Sequence, residues 1–600
     1  MSIASPAHPD VAPAIPARAS RWRADLLVTG IALVLAVWVT SGLWIDPNGR
    51  AIKVNSSDQA LFEWLLSYGA RAITHGENPF FTHLIGFPDG ANLAVNTSIT
   101  VYAVLFAPLT FLVGAPATFL VILTLNLVAT AYAWFWLLSR HLVSAKLAAA
   151  TGALFIAFAP SMVSHANAHL NWTAGWLVPI VVWRVLRLRD GRWLRDGAIL
   201  GVLVAVAFSI AAEGLFFIAL ACLVFLGVWS LSKATRAEAR AALPGVLRGL
   251  GVTAVVGFAL LAYPIWMHFL GPQRFHGTGF DARVHSEDIA GYFAFPQRSL
   301  AGIAGLDTRL APNETEENSF FGLPLVLLTI AAFWYLWRVA APGRRATLRA
   351  LGVTALVFAV LSWGPAVKIF KNYTDFPLPY ALLNPLPVFN AALPQRLALV
   401  VTPIVGLLLA LLVDARPRGR VWLAAFAVAL VPILPVNLLT VAREPIPTFI
   451  TSGNWTSVVP AGGVMATVPF TLDTVPDGQR WQAYAWTHGQ GEFSLASGFY
   501  LGPGGPDGRG RIGPVPRYTD GMLYEVAQSG VVPPIGPAEQ AQARADVAYW
   551  RVDALVLADR IHGSKWPVQH DALLTATRAL FGPGERVDDV WVWRMSPHQR

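Results

Sequence analysis

The sequence predicts a polytopic α-helical membrane protein, with about eleven transmembrane helices and a C-terminal α/β domain. Three observations predict it. The 600 residues are 55% hydrophobic and only 13% charged, against roughly 25% charged in a soluble domain. Long apolar stretches recur, among them 26–45, 119–138, 198–210, 215–229, 252–269, 322–337 and 397–413. Several approach the roughly 20 residues that cross a hydrocarbon core of about 30 Å, and a soluble fold has no way to cover so many helices that are apolar all round. The last 158 residues (443–600) instead alternate short strand-like and helix-like runs.

Residues 1–23 are rich in Ala and Pro and are expected to be disordered. The first apolar stretch ends in Trp44-Ile45-Asp46-Pro47 without a small-residue cleavage site, so it reads as a retained span rather than a signal peptide. Arg18, Arg21 and Arg23 precede it, which places the N-terminus in the cytoplasm. The basic loops at 140–146, 184–195, 233–248, 338–349 and 416–420 are then cytoplasmic too.

That rule decides an ambiguous segment. Ile99–Val113 is apolar but short, and contains Pro108. Were it a span, the basic loops at Arg140 and Arg187–Arg195 would fall outside. It is therefore read as a short juxtamembrane helix in the outer interface. The expected spans are 25–45, 117–138, 145–160, 172–187, 196–211, 214–231, 249–269, 319–338, 348–366, 395–413 and 420–442, within a membrane domain at 24–442. Three outer regions remain: the loops 46–116 and 271–318, and the extracytoplasmic tail 443–600. The net charge of +9 reflects cytoplasmic Lys and Arg and does not argue for nucleic acid. Cys222 is the single cysteine, so no intrachain disulfide forms.

In the tail, Val464-Met-Ala-Thr-Val-Pro469, Ala554-Leu-Val-Leu557 and Val590-Trp-Val-Trp593 are strand-like. Pro537–Tyr549 and Gln569–Leu580 have helical spacing. The Gly/Pro-dense stretch 502–516 reads as a loop.

The first outer loop carries the clearest chemical signal. Ser56-Ser57-Asp58 resembles a helix start, and Leu61, Trp64, Leu65 and Tyr68 follow as one apolar stripe suited to the membrane interface. Asp58 is then either a helix cap, a common role for Asp, or a carboxylate presented just outside the first span. His165 and His169 share a short turn, and their i,i+4 spacing would suit a metal pair only with further ligands, none of which is near in sequence. Glu213 sits between two apolar spans, where a carboxylate is expensive and marks a functional site or a structural ion pair. Arg274, His276, Arg283, His285, Lys368, Lys371 and Arg396 are outer-side cations; each is a candidate for a phosphate or an anchor to lipid headgroups. Asp288, in Ser286-Glu-Asp288, is a candidate second acid or an orienter of a cation. Glu314, Glu316 and Glu317 form an acidic cluster open to a cation, an acceptor or simple solvation. The chain has no Walker-type loop, no His-Glu-x-x-His, and no Gly-x-Ser-x-Gly in a plausible context.

The ordered set Asp58-Gln59 with Trp64, Gly76-Glu-Asn-Pro-Phe-Phe81, Phe87-Pro-Asp-Gly-Ala-Asn-Leu93, Asn96-Thr-Ser98, His169-Leu170, Glu213, Ser286-Glu-Asp288 and Ala392-Leu-Pro-Gln-Arg396 resembles the GT-C superfamily of membrane glycosyltransferases. More narrowly, it resembles an uncharacterised actinobacterial group. The resemblance implies an inverting transfer from a polyprenyl-phosphate sugar to an envelope glycan, glycolipid or exported protein on the outer face. It makes Asp58 the catalytic base; given that reading, Gln59, His169, Glu213, Arg283, His285, Asp288 and Arg396 are the residues expected to bind substrate. No metal ligands are implied, and a divalent cation is left open as a cofactor. One carboxylate suffices for such a transfer, because the phosphate leaves as a stable anion and needs no second acid, unlike glycoside hydrolysis. A transporter or flippase, which would place charges near the membrane midplane, and a non-catalytic envelope-assembly protein are the rival classes.

Overall fold

The computed structural model describes residues 18–97, 99–416 and 419–595. Most of the expected disordered N-terminus, and two residues of the basic loop 416–420, lie outside them. The first helix begins at Arg18, earlier than expected.

Among the described residues, seven helices are long and apolar enough to cross a membrane: Trp22–Val39, Ala115–Leu142, Lys146–His165, Trp193–Leu231, Arg236–Leu270, Pro342–Ser362 and Pro394–Asp414. Apolar helices at Leu323–Val339 and Arg420–Leu430 are shorter. The helix Trp193–Leu231 is broken at Ala211 (φ −151°, ψ 75°), and its halves double back. The Thr253 hydroxyl donates to the Gly197 carbonyl, a Cβ on Gly201 would meet Val256, and one on Gly257 would meet Val204. Residue numbers therefore rise together along 193–210 and 249–257. Because the second helix starts five residues after Leu231, residues 214–231 must return, and Ile218 packs against the same small cluster around Leu200 as Leu203 and Val204 do. The reversal puts Glu213 at a turn between two apolar arms.

Three expected elements are shorter than their apolar runs suggest. In 172–187 only Leu177–Arg187 is helical, about 16 Å of rise; turns around Ala168 (φ 74°) precede it. The run 420–442 stops as a helix at Leu430. Pro432 and Pro435 follow, and Thr440–Ala442 pairs antiparallel with Arg50–Ile52. Ile99–Val113 forms two short helices, Thr100–Leu105 and Ala107–Val113.

The helix Ser56–His75 departs most from expectation. Its stripe does not face lipid: Trp64, Leu65 and Tyr68 are buried. Trp64 stacks on Tyr68 at 5.1 Å and lies 5.8 Å from Trp486, and its indole N–H donates to Gln482 at 2.8 Å. The partner of the stripe is the tail. There, five strands lie in the order 585–587, 590–594, 554–558, 464–467 and 494–495. The last two pairings, with 464–467, are parallel and the first two antiparallel. The helices Asp477–Thr487, Tyr518–Ser529, Pro537–Trp550 and His570–Phe581 accompany this sheet. The stretch expected as a loop contains a hairpin, Leu501–Pro503 with Gly510–Ile512. One apolar core runs from the membrane helices through Trp64 into Trp481, Phe493 and Met465 of the tail.

Candidate functional site

Asp58 lies in the first turn of the Ser56–His75 helix, but Asn55 is the N-cap residue. The Asp58 carboxylate is turned away from the backbone. It accepts from Asn55 Nδ2 at 2.8 Å and meets His169 Nε2 at 3.1 Å. Asn55 is fixed in turn by the Asn167 carbonyl at 3.1 Å. A quarter of the Asp58 side chain stays accessible.

From His169 the contacts run inward. His165 and His169 face each other through their Nδ1 atoms at 2.9 Å, one helical turn apart across the Ala166–Ala168 bend. Asn318 donates Nδ2 to Glu316, which turns its Oδ1 toward His165 Nε2 at 2.7 Å. His165 Nε2 must therefore donate, and one proton lies between the two Nδ1 atoms. His169 Nε2 must carry a proton to bond the Asp58 carboxylate. The pair is set between Asp58 and Glu316 Oε1, which lies 3.9 Å from His169.

Glu316 also binds Arg396, through Nε at 3.0 Å and through Nη2. Arg396 Nη1 reaches Glu213 at 3.1 Å, and the other Glu213 oxygen accepts the Leu393 N–H at 3.0 Å. The guanidinium lies 5.3 Å from the Trp172 ring centre, and His165 stacks on that ring at 5.5 Å. Asp58, His169, Glu213 and Arg396, distant in sequence, thus join one polar cluster where three membrane segments meet. Glu316, His165, Asn318, Trp172 and Asn55 complete it. Of these, Glu316 and His165 stood out in sequence only as generic acid and histidine candidates. Trp172 lies three residues beyond His169, a helical spacing that hints at a shared face.

The electrostatics follow from this geometry. Burial would raise the Asp58 carboxyl, but the hydrogen bond and charge of His169, with Asn55 and Arg396, outweigh it and hold the group below its ordinary value. Glu316 is fully enclosed, and burial works against its charge; Arg396 and the two histidines nevertheless hold it well below the usual carboxylate range. Its neighbour Glu317 accepts from Gln297 instead, and burial pushes it up to about 8.

His285 adjoins the cluster, its Nδ1 accepting from Gln395 Nε2 at 3.4 Å; burial holds it below its ordinary value. The remaining candidates lie elsewhere, with their polar atoms committed. Gln59 is buried, accepting the Ile52 N–H and donating to Glu63, both at 2.8 Å. Asp288 is buried and accepts backbone N–H groups from Ala290, Phe370 and Lys371, which makes it a turn-builder. Arg283 reaches Thr374 O and the exposed Asp375. Lys368 donates to the Val284 and Ser286 carbonyls. Among the described residues no group of three or more His, Cys, Asp or Glu is placed to hold a metal.

Fold and site together define a membrane protein whose apolar helices carry a carboxylate–histidine–arginine cluster beside an appended, sheet-containing tail. The chain belongs to the family described as Domain of unknown function (DUF6311), whose model matches residues 28–434. No curated protein sequence matches it. Among solved structures, it is similar to the arabinofuranosyltransferase AftD from Mycobacteria, with a TM-score of 0.52 and 15% identity, over 90% of this chain and 37% of that one. It also matches the oligosaccharyltransferase of Archaeoglobus fulgidus in its apo form, with a TM-score of 0.48 and 13% identity, over 89% of this chain and 69% of that one. The likeness to AftD is one of fold, and this chain spans 37% of AftD's length.

Proposed function

We propose that this protein is an inverting membrane glycosyltransferase of the GT-C type. It would move a sugar from a polyprenyl phosphate to an envelope glycan, glycolipid or exported protein on the outer face of the cell membrane. The observation that carries the reading is Asp58: a partly open carboxylate, kept charged by His169, in one cluster with Arg396. Its fold is shared with a known arabinofuranosyltransferase.

Asp58 takes the proton of an acceptor hydroxyl as that oxygen attacks the anomeric carbon. The bond from that carbon to the phosphate oxygen breaks, and the lipid phosphate leaves with the electron pair. Arg396 is matched by two carboxylates, so its role is to fix Glu316 and Glu213 more than to receive the phosphate alone. His285 adjoins the cluster with no carboxylate in ion-pair contact among the described residues; with its Nδ1 accepting from Gln395, it meets the leaving group as a neutral imidazole donating from Nε2–H. The test is transfer from a polyprenyl-phosphate sugar by purified protein in nanodiscs. Asp58→Asn should lower the rate about 10²- to 10⁴-fold, the usual worth of a positioned general base. An unchanged rate would end the proposal.

A further inference from the structure

Both contacts to the Asp58 carboxylate fall on one oxygen. Asn55 Nδ2 reaches Oδ2 at 2.8 Å, and His169 Nε2 reaches it at 3.1 Å. Oδ1 accepts no hydrogen bond among the described residues and is not closed off from outside. We propose that Asn55 is a positioning residue, which with His169 clamps Oδ2 so that Oδ1 takes the proton of the acceptor hydroxyl. This rests on the reading of Asp58 as the base.

Three observations set this role apart from helix capping. First, Asn55 stands at the N-cap of the Ser56–His75 helix, and its carbonyl accepts the Gln59 N–H. Asn is among the best capping residues, because its side-chain oxygen can accept an N–H of the first turn. Here that bond is not made; the oxygen meets the Ser57 hydroxyl at 3.4 Å instead. A local rule broken in this way is the mark of a functional position. Second, both N–H bonds of Nδ2 are spent, one on Asp58 Oδ2 and one on the Asn167 carbonyl at 3.1 Å. A carboxylate and a carbonyl can only accept, which fixes how the amide is turned. Third, Asn167 lies in the Ala166–Ala168 bend, between His165 and His169. Asn55 therefore ties the helix of Asp58 to the segment that supplies the other half of the clamp. The last torsion of an Asp side chain is soft, so a single donor would let the carboxylate turn and offer either oxygen. Two donors from separate segments hold Oδ1 in one direction, and transfer depends on that direction.

Two substitutions test the clamp while keeping a good cap, since Asp and Ser cap as well as Asn does. Asn55→Asp is isosteric but donates nothing and sets a second carboxylate against Asp58. Asn55→Ser is too short to hold Oδ2. The titratable and charged groups around Asp58 are His169, Arg396, Glu316 behind His169, and His562 on Ser56; neither substitution alters them. In purified protein in nanodiscs, both variants should lower kcat per folded molecule about 10- to 100-fold, the cost of a misplaced reacting group. KM for the polyprenyl-phosphate sugar should hold. A second readout does not depend on the reaction. The Asp58 carboxyl band in pH-difference infrared spectra, identified by its loss in Asp58→Asn, should titrate at higher pH in Asn55→Ser, which has lost a donor to the charged form. The clamp is overturned if both variants keep the parent's kcat, or if the Asp58 band in Asn55→Ser titrates as in the parent. An Asp58→Asn protein that transfers normally would end the base reading instead, whatever the infrared titration shows.

Discussion

At Asp58 the outcome turns on a balance. Burial alone would raise the carboxyl, and a protonated Asp58 accepts no proton from a substrate. His169, at 3.1 Å, tips the balance the other way. His169 is held there by His165, its Nδ1 partner at 2.9 Å, which Asn318 orients in turn. His169→Asn removes the charge and raises the Asp58 pKa. Since the base works only when deprotonated, the acid limb of the pH–rate profile should move to higher pH, with the rate at the plateau much less affected. An acid limb that stays in place would show that His169 does not set the charge of Asp58. At this scale much was legible: Asp58, His169, Glu213 and Arg396 each stand out as polar residues at the end of an apolar run. Gln59 and Asp288 stand out as members of short polar motifs, yet their side chains are used up by structural backbone and side-chain partners. Sequence cannot separate the two outcomes, because the partners lie far apart along the chain.

The helix that presents Asp58 is held at a second point. Gln59 hands its amide to Glu63, and Glu63 forms a bidentate pair with Arg443 at 2.8 and 3.0 Å. Both charged side chains are only 4% exposed. Glu63→Gln leaves the Arg443 charge buried without its match, which should cost about 3–5 kcal/mol. The joint variant Glu63→Leu with Arg443→Met should recover much of that loss, since a well-packed apolar pair can replace a buried ion pair. Thermal unfolding in detergent checks both; equal losses would mean that the pair contributes packing alone. The same helix shows why element-level reading goes astray. An apolar stripe states that one face is covered, not by what, and here Trp486 rather than lipid covers it. Hydropathy likewise extends the run 420–442 through residues that strand pairing with Arg50–Ile52 takes over.

Across the whole molecule, membrane helices and tail share one apolar core, so the boundary near residue 443 marks a change of composition more than a separate body. His562 lies on that junction. It comes from the tail, bonds Ser56 Oγ at 3.0 Å two residues before Asp58, and gives its backbone N–H to Asp477 at 2.7 Å. Burial, reinforced by Arg480 and Arg443, lowers its pKa from 6.5 to about 4. The unfolded chain therefore takes up a proton near pH 6.5 that the folded junction refuses until about pH 4. Between those values the unfolded state binds more protons, so stability rises with pH and is lost as pH falls. A depression of this size corresponds to at most about 3 kcal/mol, fully present above pH 6.5. The junction also sits beside the turn that positions the catalytic candidate, so the loss should reach Asp58 before the chain unfolds. Melting temperature should fall as pH is lowered from 6.5 to 4, and His562→Gln, which keeps a polar group toward Ser56 but cannot titrate, should flatten that slope. Retention of the full slope in His562→Gln would assign the acid sensitivity to other groups and leave the His562–Ser56 contact without a part in it.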